Sequence, residues 1–200
     1  ITFTLDTLSP GLASLKSATL SNSSANLRLS GTGDGSSTIT VTDLTHQTEL
    51  GTAKANNVGV WTIATAIHAT GPLELELRTR DDAGNTTVST AHAIVGTSGA
   101  DSLIDVQGQN NVLSGGAGPD VFVFGPGNGN DVIAGFVVGS AAVHDTIELS
   151  RSLFADFAAL TAHAADIGND ALISIDGGNS ITLMGVKLAS LHSYDFTFVG

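Results

Sequence analysis

The chain has 200 residues, of which 42% are hydrophobic, with seven Lys and Arg, nineteen Asp and Glu, no Cys and a formal net charge of −12. The absence of Cys excludes disulfides and thiolate metal sites, and the acidic charge argues against nucleic acid, whose phosphates it would repel. No apolar run reaches the roughly 18 residues of a membrane span, and the first residues lack the pattern of a secretory signal peptide.

The length suits one large domain or two ordinary ones, and a change of character near Val95 favours two, residues 1–95 and 96–200. The first carries five cationic and eight acidic residues, a net −3, whereas the second carries two and eleven, a net −9. The acidic second half fits cations as its partner. Because the sequence starts at Ile1 in mid-pattern and without Met, we expect it to be the C-terminal part of a longer protein.

Residues 12–95 alternate apolar and polar side chains in short runs, the pattern of half-buried strands. Segments rich in Gly, Asn and Asp separate these runs and read as turns: residues 31–35, 56–57 and 81–85. About seven strands of this kind predict a β-sandwich, with Trp61 as its core aromatic.

Four phrases in this half occur in the order Ser30-Gly-Thr-Gly, Ser37-Thr-Ile-Thr-Val-Thr, Gly59-Val-Trp-Thr-Ile and Asp81-Asp-Ala-Gly-Asn-Thr-Thr. Their order is similar to that in bacterial Ig-like repeats, which occur in tandem in surface adhesins. The resemblance implies an Ig-like β-sandwich that adjoins neighbouring Ig-like repeats in the parent chain.

Near the expected junction with such a repeat, Asp6, Asp81 and Asp82 are candidate ligands of a calcium ion that would stiffen the junction. The alternative is that Asp-Ala-Gly-Asn forms its turn without a metal, because Asp and Asn hydrogen-bond their own backbone and Gly tolerates positive φ.

The second half contains a nonapeptide pattern. Residues 115–123, Gly-Gly-Ala-Gly-Pro-Asp-Val-Phe-Val, fit G-G-x-G-x-D-x-U-x, in which glycines allow a tight turn, Asp supplies a hard oxygen ligand and U begins a short strand. Weaker copies occur at 96–104 and 106–114, with one residue, Asp105, inserted between them. A distorted copy follows at 125–131.

These repeats and the downstream segments 145–150, 153–160, 181–186 and 195–199 resemble the calcium-binding β-roll and C-terminal target domain of RTX (repeats-in-toxin) proteins, which are type I secretion substrates. The resemblance implies a short parallel β-roll in which the Asp101 turn stacks on the Asp120 turn, and the Asn111 turn on the Asp131 turn. Calcium would lie between stacked turns, more weakly at the second pair because Asn111 is neutral. The implied metal-site residues are Gly99, Asp101, Asn111, Gly116, Gly118, Asp120, Asn128 and Asp131. The alternative is a turn region that binds no ion.

Downstream, apolar residues at helical spacing predict a helix over 151–163 that covers the sheet, with Ser150 as N-cap and Gly168 as its stop. Residues 171–175 and 180–184 predict a hairpin around the turn 176–179. A last strand over Asp195–Val199 would bury Phe196 and Phe198. The resemblance places the type I secretion signal in the same segment.

The sequence contains no motif of a catalytic site. The six His, at 46, 68, 92, 144, 163 and 192, are scattered without a zinc pair, and neither a phosphate loop nor a nucleophile elbow occurs. We therefore expect no enzyme and no catalytic residue, and calcium as the only cofactor.

The function expected is that of a calcium-binding C-terminal region of a Gram-negative adhesin or biofilm protein, secreted or held at the cell surface. Its partners would be calcium, the type I secretion machinery and neighbouring Ig-like repeats. One alternative is the accessory tail of a secreted protease, lipase or polysaccharide-active enzyme. Another is that the sandwich binds a glycan or surface ligand, although the first half offers only Phe3 and Trp61 as aromatics for such a site.

Overall fold

A computed structural model describes residues 6–20, 26–65, 70–139 and 144–200. Phe3 and His68 lie outside these ranges, as do residues 1–5 of the expected junction. Strands dominate the described residues and helices are few, so the prediction of a mainly all-β chain is confirmed. No helix in the described part of the chain has both the length and the hydropathy of a membrane span.

The strands, in chain order, are β1 (Ser14–Leu20), β2 (Leu27–Thr32), β3 (Thr38–Asp43), β4 (Thr48–Lys54), β5 (Val60–Ala64), β6 (Gly71–Arg80), β7 (Thr86–Val95), β8 (Ser102–Ile104), β9 (Asn111–Ser114), β10 (Val121–Phe124), β11 (Asn130–Ala134), β12 (Thr146–Ser150), β13 (Ala164–Ile167), β14 (Asp170–Asp176), β15 (Asn179–Met184) and β16 (Phe196–Val199). One α-helix, α1 (Phe157–Thr161), and two 3-10 helices, Leu188–Ser190 and Ser193–Asp195, complete the described elements.

The first half supplies two antiparallel layers. One is a three-stranded sheet in the order β1-β2-β5, and the other is formed by β7, β6, β3 and β4 at one end of a nine-stranded sheet. Burial alternates along β2 and β3 as the sequence pattern predicts. The inward residues of both layers form the first core, which includes Leu27, Leu29, Ile39, Val41, Trp61, Leu75 and Leu77. Trp61 is 1% exposed, so its prediction as a core residue is confirmed.

Most strand pairs of the second half are parallel, and only β13, β14 and β15 pair antiparallel among its described residues. From β8 to β11 the chain alternates between a four-stranded sheet, in the order β16-β12-β10-β8, and the nine-stranded sheet, in which β9, β11 and β15 are neighbours. The second core lies between these sheets and includes Leu103, Leu113, Phe122, Phe124, Ile133, Ile147 and Leu149. Because of this alternation, the turn before β8 lies beside the turn before β10, and the turn before β9 lies beside the turn before β11.

A parallel pairing joins the two halves. The last residues of β7 pair with β9, from His92 opposite Asn111 to Val95 opposite Ser114. The nine-stranded sheet therefore runs without a break past Val95, where the sequence changes character. This pairing anchors the first turns of the second half on the strands of the first.

The helix predicted over 151–163 is wrong in extent. Ser150 is the last residue of β12 and pairs with Val199, and α1 begins only at Phe157, so Ser150 does not cap it. Asp156 is the N-cap instead, since its side chain accepts a hydrogen bond from the Ala159 N–H at 2.8 Å, and α1 has only five residues. Gly168 does not stop the helix but lies between β13 and β14 with φ of 61°.

The predicted hairpin is confirmed as β14 and β15, which pair antiparallel up to Asp176 opposite Asn179. It carries one more strand than expected, because β13 pairs antiparallel with β14. The final strand is confirmed as β16, where Phe196 is buried and Phe198 half-buried.

Candidate functional site

The turns before β8 and β10, residues 96–101 and 115–120, lie side by side, and we call them the first turn stack. β8 pairs in parallel with β10, with Ser102 opposite Val121. The backbones are so close that a Cβ on Gly116, whose φ is 99°, would lie 2.0 Å from the Thr97 carbonyl oxygen. A Cβ on Gly118 would lie 2.6 Å from the Gly99 carbonyl oxygen. The register expected from the repeats is therefore present, and it requires glycine at these positions.

Asp120 is the central side chain of the first turn stack. Its Oδ1 accepts a hydrogen bond from the Asp101 N–H at 2.9 Å, which links the two turns. Its Oδ2 has no hydrogen-bond partner, although the residue is only 1% exposed. Burial raises the pKa of Asp120 to about 6, and the negative charges of Asp145 and Asp101 add to the rise against the hydrogen bond from Asp101. The carboxylate is thus buried with one of its two oxygens lacking a hydrogen-bond donor.

Two further aspartates lie in line with Asp120. Asp101 is half-buried, and its Oδ2 accepts hydrogen bonds from the Thr97 N–H at 2.7 Å and the Thr97 hydroxyl at 2.9 Å. Asp145 is 2% exposed and accepts from the Asp120 N–H at 3.0 Å and the Val137 N–H at 2.8 Å. Burial raises the pKa of Asp145, opposed by those two backbone hydrogen bonds. Three carboxylates therefore follow one another across β8, β10 and β12.

The sequence analysis missed Asp145, although a signal for it exists. Asp145 precedes Thr146-Ile-Glu-Leu as Asp120 precedes Val121-Phe-Val-Phe, with large residues at the same two positions. The residues before Asp145 lack the glycines of the repeat, which hid this correspondence.

The second turn stack consists of residues 105–111 and 125–131, before β9 and β11. Asp131 Oδ1 accepts from the Asn111 N–H at 2.9 Å, and Asp131 Oδ2 accepts from the Asn128 side-chain amide at 2.8 Å. All three residues are 1% exposed. A Cβ on Gly129 would lie 2.1 Å from the Gln109 carbonyl oxygen, so these turns touch as closely as the first pair. The predicted pairing of the Asn111 and Asp131 turns is present as well.

Neutral amides join the turns of the second stack to each other and to β15. Asn110 Oδ1 accepts from the Asn130 N–H at 2.8 Å, and Asn179 Oδ1 accepts from the Gly129 N–H at 2.8 Å. The Ser180 hydroxyl donates to Asn130 Oδ1 at 2.8 Å. The sequence analysis did not single out these asparagines, because the nonapeptide pattern assigns them no role.

Asp105 also belongs to the second turn stack, although it is the residue inserted between repeats. Its Oδ1 accepts from the Asn111 side-chain amide at 2.9 Å. Burial and, less strongly, the charge of Asp131 raise the pKa of Asp105 to about 7, against the hydrogen bond from the Asn111 side chain. Burial likewise raises the pKa of Asp131 to about 6, against hydrogen bonds from the Asn111 backbone and from the Asn128 and Asn111 side chains.

Asp6, Asp81 and Asp82 line one cleft of about 420 Å³ in the first half, together with Asp34. Asp81 accepts from the backbone N–H and the side-chain amide of Asn85, both at 2.8 Å, and the latter bond holds the pKa of Asp81 below its ordinary value. Asp82 contacts Lys54 Nζ at 3.2 Å. Asp6 Oδ1 accepts from the Leu8 N–H at 3.0 Å. The turn 81–85 is thus closed by hydrogen bonds between Asp81 and Asn85.

No group of three or more His, Cys, Asp or Glu side chains that could hold a metal ion occurs among residues 6–20, 26–65, 70–139 and 144–200. Calcium takes six to eight oxygen ligands, and backbone and amide carbonyls serve alongside carboxylates. The turn stacks offer ligands of this mixed kind, with at most two or three carboxylates each.

Comparisons with known proteins add little. No family model matches the chain, and no curated protein matches it. Among solved structures, one described as "Structure of Protease" aligns with 42% of this chain and 18% of its own length, at 15% identity and a TM-score of 0.30. The chain thus spans less than a fifth of that protein. A likeness so distant carries no argument about fold or function.

Proposed function

We propose that residues 96–200 are a calcium-binding β-roll of the RTX type that carries a type I secretion signal. Residues 1–95 would be an Ig-like spacer that adjoins neighbouring repeats of the parent chain. The whole would be the non-enzymatic C-terminal region of a Gram-negative adhesin or biofilm protein, secreted or held at the cell surface. Parallel strands joined by glycine turns, with aspartates in line at one edge, support this proposal.

The observation that carries the calcium proposal is the bare Oδ2 of Asp120. A buried carboxylate is costly unless it is paired and fully hydrogen-bonded. Here one oxygen has no partner, and two more carboxylates lie in line with it. A bound divalent cation would supply the missing partner and neutralise the charge. Asp101 and Asp120 would contribute charged oxygens, and carbonyl oxygens of the two turns would complete the shell.

The same arrangement couples calcium to folding. Without the ion, neighbouring carboxylates repel one another, and ordering glycine-rich turns costs conformational entropy. Because an ion that binds only the folded chain stabilises it, folding would follow calcium concentration. A chain that stays unfolded in a calcium-poor cytoplasm and folds outside the cell suits export through a narrow channel.

The test is a calcium titration of the full chain by calorimetry and thermal melting, with magnesium and a chelator as controls. Asp120→Asn keeps the acceptor for the Asp101 N–H but removes the buried charge. We expect it to weaken calcium binding at this site about tenfold or more, because the ligand charge falls. Without calcium its melting temperature should rise by about 2–4 °C, the shift that a gain near 1 kcal/mol gives in a chain of this size.

The matched control is Glu49→Gln on β4, at the far edge of the nine-stranded sheet. It removes one negative charge from an exposed position and should leave calcium binding unchanged. Equal calcium affinity in wild type and Asp120→Asn would refute the site. If calcium affinity fell equally in Asp120→Asn and Glu49→Gln, the loss would come from the change in net charge and not from a ligand at Asp120.

Export tests the secretion part of the proposal separately. Deleting residues 195–200 removes β16 and should abolish export by a type I system. Because such a signal is read before folding, Ile147→Ala in the neighbouring β12 should destabilise the fold and still be exported. Normal export of the deletion variant would place the signal elsewhere.

A further inference from the structure

The sheet formed by β4, β3, β6 and β7 has an outer face, the side turned away from the first core. On β3 the residues of this face, Thr38, Thr40 and Thr42, alternate with buried Ile39 and Val41. Near the turn 81–85 the face carries several exposed side chains, those of Thr52, Lys54, Arg78, Arg80 and Thr86. This end of the outer face is therefore open to a partner.

Strand pairing arranges the open end in two rows that cross the four strands. The first row runs from β4 to β7 through Lys54, Thr38, Arg80 and Thr86. The second runs through Thr52, Thr40, Arg78 and Val88. Carboxylates enter the outer face only in the next row, which consists of Glu49, Thr42, Glu76 and Thr90. The first two rows thus hold three cations and four hydroxyls, and we call them the cationic end.

The cationic end concentrates a charge that the chain as a whole lacks. Three of the seven Lys and Arg residues stand in it, although the net charge of the chain is −12. At physiological ionic strength, exposed charges more than about 8 Å apart are largely screened from each other. The local cations therefore decide which ligands can approach this end of the face.

The anions that contact these cations are weakly held. Lys54 Nζ lies 3.2 Å from Asp82 Oδ1, and the two side chains are 58% and 78% exposed. Arg78 donates to Glu76 Oε1 at 3.0 Å, and its side chain is half exposed. Arg80 forms no ion pair with any residue that the structure describes. Because exposed ion pairs contribute little stability, an anionic ligand can replace both carboxylates.

The spacing of the cations suits an extended ligand. Arg78 and Arg80 are two residues apart on one strand, about 7 Å, and Lys54 lies two strands from Arg80, about 10 Å. The hydroxyls of Thr38 and Thr40 lie on the strand between them. A small anion could contact only one of these cations, whereas a polymer with acidic groups at intervals could contact all three.

The side chains between the cations select among polymers. Threonine hydroxyls both donate and accept hydrogen bonds, as sugar hydroxyls do, and a guanidinium group binds a carboxylate through two parallel hydrogen bonds. Neither row contains an aromatic side chain on which the bases of single-stranded nucleic acid could stack. Val88 is the only apolar residue of the two rows, which argues against a membrane surface.

We propose that the cationic end of the outer face binds an acidic polysaccharide. Arg78, Arg80 and Lys54 contact its carboxylates, and the threonine hydroxyls contact its sugar hydroxyls. The surface lies in the first half of the chain, so the proposal does not depend on calcium binding by the second half.

The experiment is calorimetry of the full chain with an oligogalacturonate, in chelator so that calcium cannot bridge two carboxylates. The fully methyl-esterified oligomer, which is neutral, is the ligand control. Wild type should bind the acidic oligomer alone, and more weakly as salt rises. The double variant Arg78→Gln, Arg80→Gln should bind at least about tenfold more weakly. A wild-type chain that fails to bind the acidic oligomer at low salt, or binds the ester equally well, would overturn the proposal.

The matched control is the double variant Lys16→Gln, Arg28→Gln. It removes the same charge from exposed positions on β1 and β2, in the three-stranded sheet, and should bind like wild type. An equal loss in both double variants would reduce the binding to net charge and overturn the site. Melting temperatures of both should stay within about 2 °C of wild type.

A charge-keeping variant covers the case in which the glutamines disturb the sheet. Arg78→Lys, Arg80→Lys keeps both charges but loses the guanidinium fork, so it should bind more weakly than wild type and more tightly than the glutamine variant. If the lysine variant bound no better than the glutamine variant, charge complementarity would be wrong.

Two further measurements fix the place and the partner. Asp120→Asn should bind the oligomer like wild type, because Asp120 lies in the first turn stack. Loss of binding in Asp120→Asn would move the polysaccharide to the second half and overturn the inference, while leaving the calcium proposal untouched. Duplex DNA or anionic lipid vesicles that bound as tightly as the oligomer would overturn the choice of a polysaccharide.

Discussion

The two turn stacks share a backbone arrangement but differ in what holds them. In the first, aspartates follow one another across three strands, and the central one keeps a bare, buried oxygen. In the second, Asn110 and Asn179 join the turn 125–131 to the turn 105–111 and to β15, and each oxygen of the Asp131 carboxylate accepts a hydrogen bond. The comparison teaches that glycine contacts set the stacking in both places, whereas the carboxylate oxygen without a hydrogen-bond donor, Asp120 Oδ2, marks the stack that a cation would complete. We expect the first stack to depend on calcium for its order and the second to form without it.

The largest effect should come from breaking the shared backbone contact. Gly116→Ala and Gly129→Ala both put a Cβ about 2 Å from a carbonyl oxygen of the adjacent turn, at φ of 99°. Each should lower the free energy of unfolding by roughly 2–4 kcal/mol, because the backbone must shift and the φ is strained. Chemical denaturation measures the loss.

Gly178→Ala is the control for these two, since a Cβ there meets nothing within 4 Å. Its effect should stay within about 0.5 kcal/mol. If Gly116→Ala were as mild as this control, the close stacking of the turns would be wrong.

Asn179 of β15, which bonds the second turn stack, offers the next largest effect. Asn179→Ala removes the acceptor of the Gly129 N–H and should cost about 1 kcal/mol. The loss should be the same with calcium and with chelator, because the bond is neutral and joins the turn to β15. Denaturation curves in both conditions check this. A loss confined to the calcium-loaded protein would contradict the contrast between the stacks.

The stability of the calcium-free protein should also depend on pH, by less than the effects of the substitutions above. Its sign follows from the pKa shifts. The folded-state pKa is raised to about 6 for Asp120 and Asp131 and to about 7 for Asp105, above the ordinary value of about 3.9. The stability linked to these groups is therefore complete below about pH 4 and is lost as pH rises through 6 to 7. The lowered pKa of Asp81 acts only near and below pH 4, outside this window.

Melting temperatures in chelator from pH 5 to 8 test this sign. They should fall with rising pH, and the fall should be smaller in Asp120→Asn and in Asp105→Asn. With calcium the curve should flatten, since the ion takes the place of the proton. A calcium-free protein that melts higher at pH 8 than at pH 5 would contradict the raised pKa values.

Sequence reasoning reached the strands because alternation at period two predicts which residues of β2, β3 and β6 are buried. The stacking register came from the resemblance of the repeats to RTX β-rolls, which implies which turns meet. The helix was misplaced because the apolar spacing at 153–160 also suits a turn followed by one helical turn. Pairing of Ser150 with Val199 is a contact over 49 residues that no local pattern contains.

The candidate site was predictable only in part, for the same reason. Asp120 and Asp131 follow from the repeat, but Asp105 interrupts it and Asp145 lacks its glycines. Asp105 and Asp145 reach the turn stacks because β10 pairs with β8 and with β12, which brings residues distant in sequence together. The parallel pairing of β7 with β9 is likewise a long-range contact that no local pattern contains. It joins strands from the two halves in one nine-stranded sheet.

Hydrogen exchange of the full chain with and without calcium tests the central claim most directly, because it reports each turn separately. We predict that calcium slows exchange most at the amides of residues 97–101 and 116–120. The amides of residues 107–111 and 125–131 should already be protected in chelator and change less. No calcium-dependent protection in the first turn stack, or protection gained mainly in the second, would contradict the account.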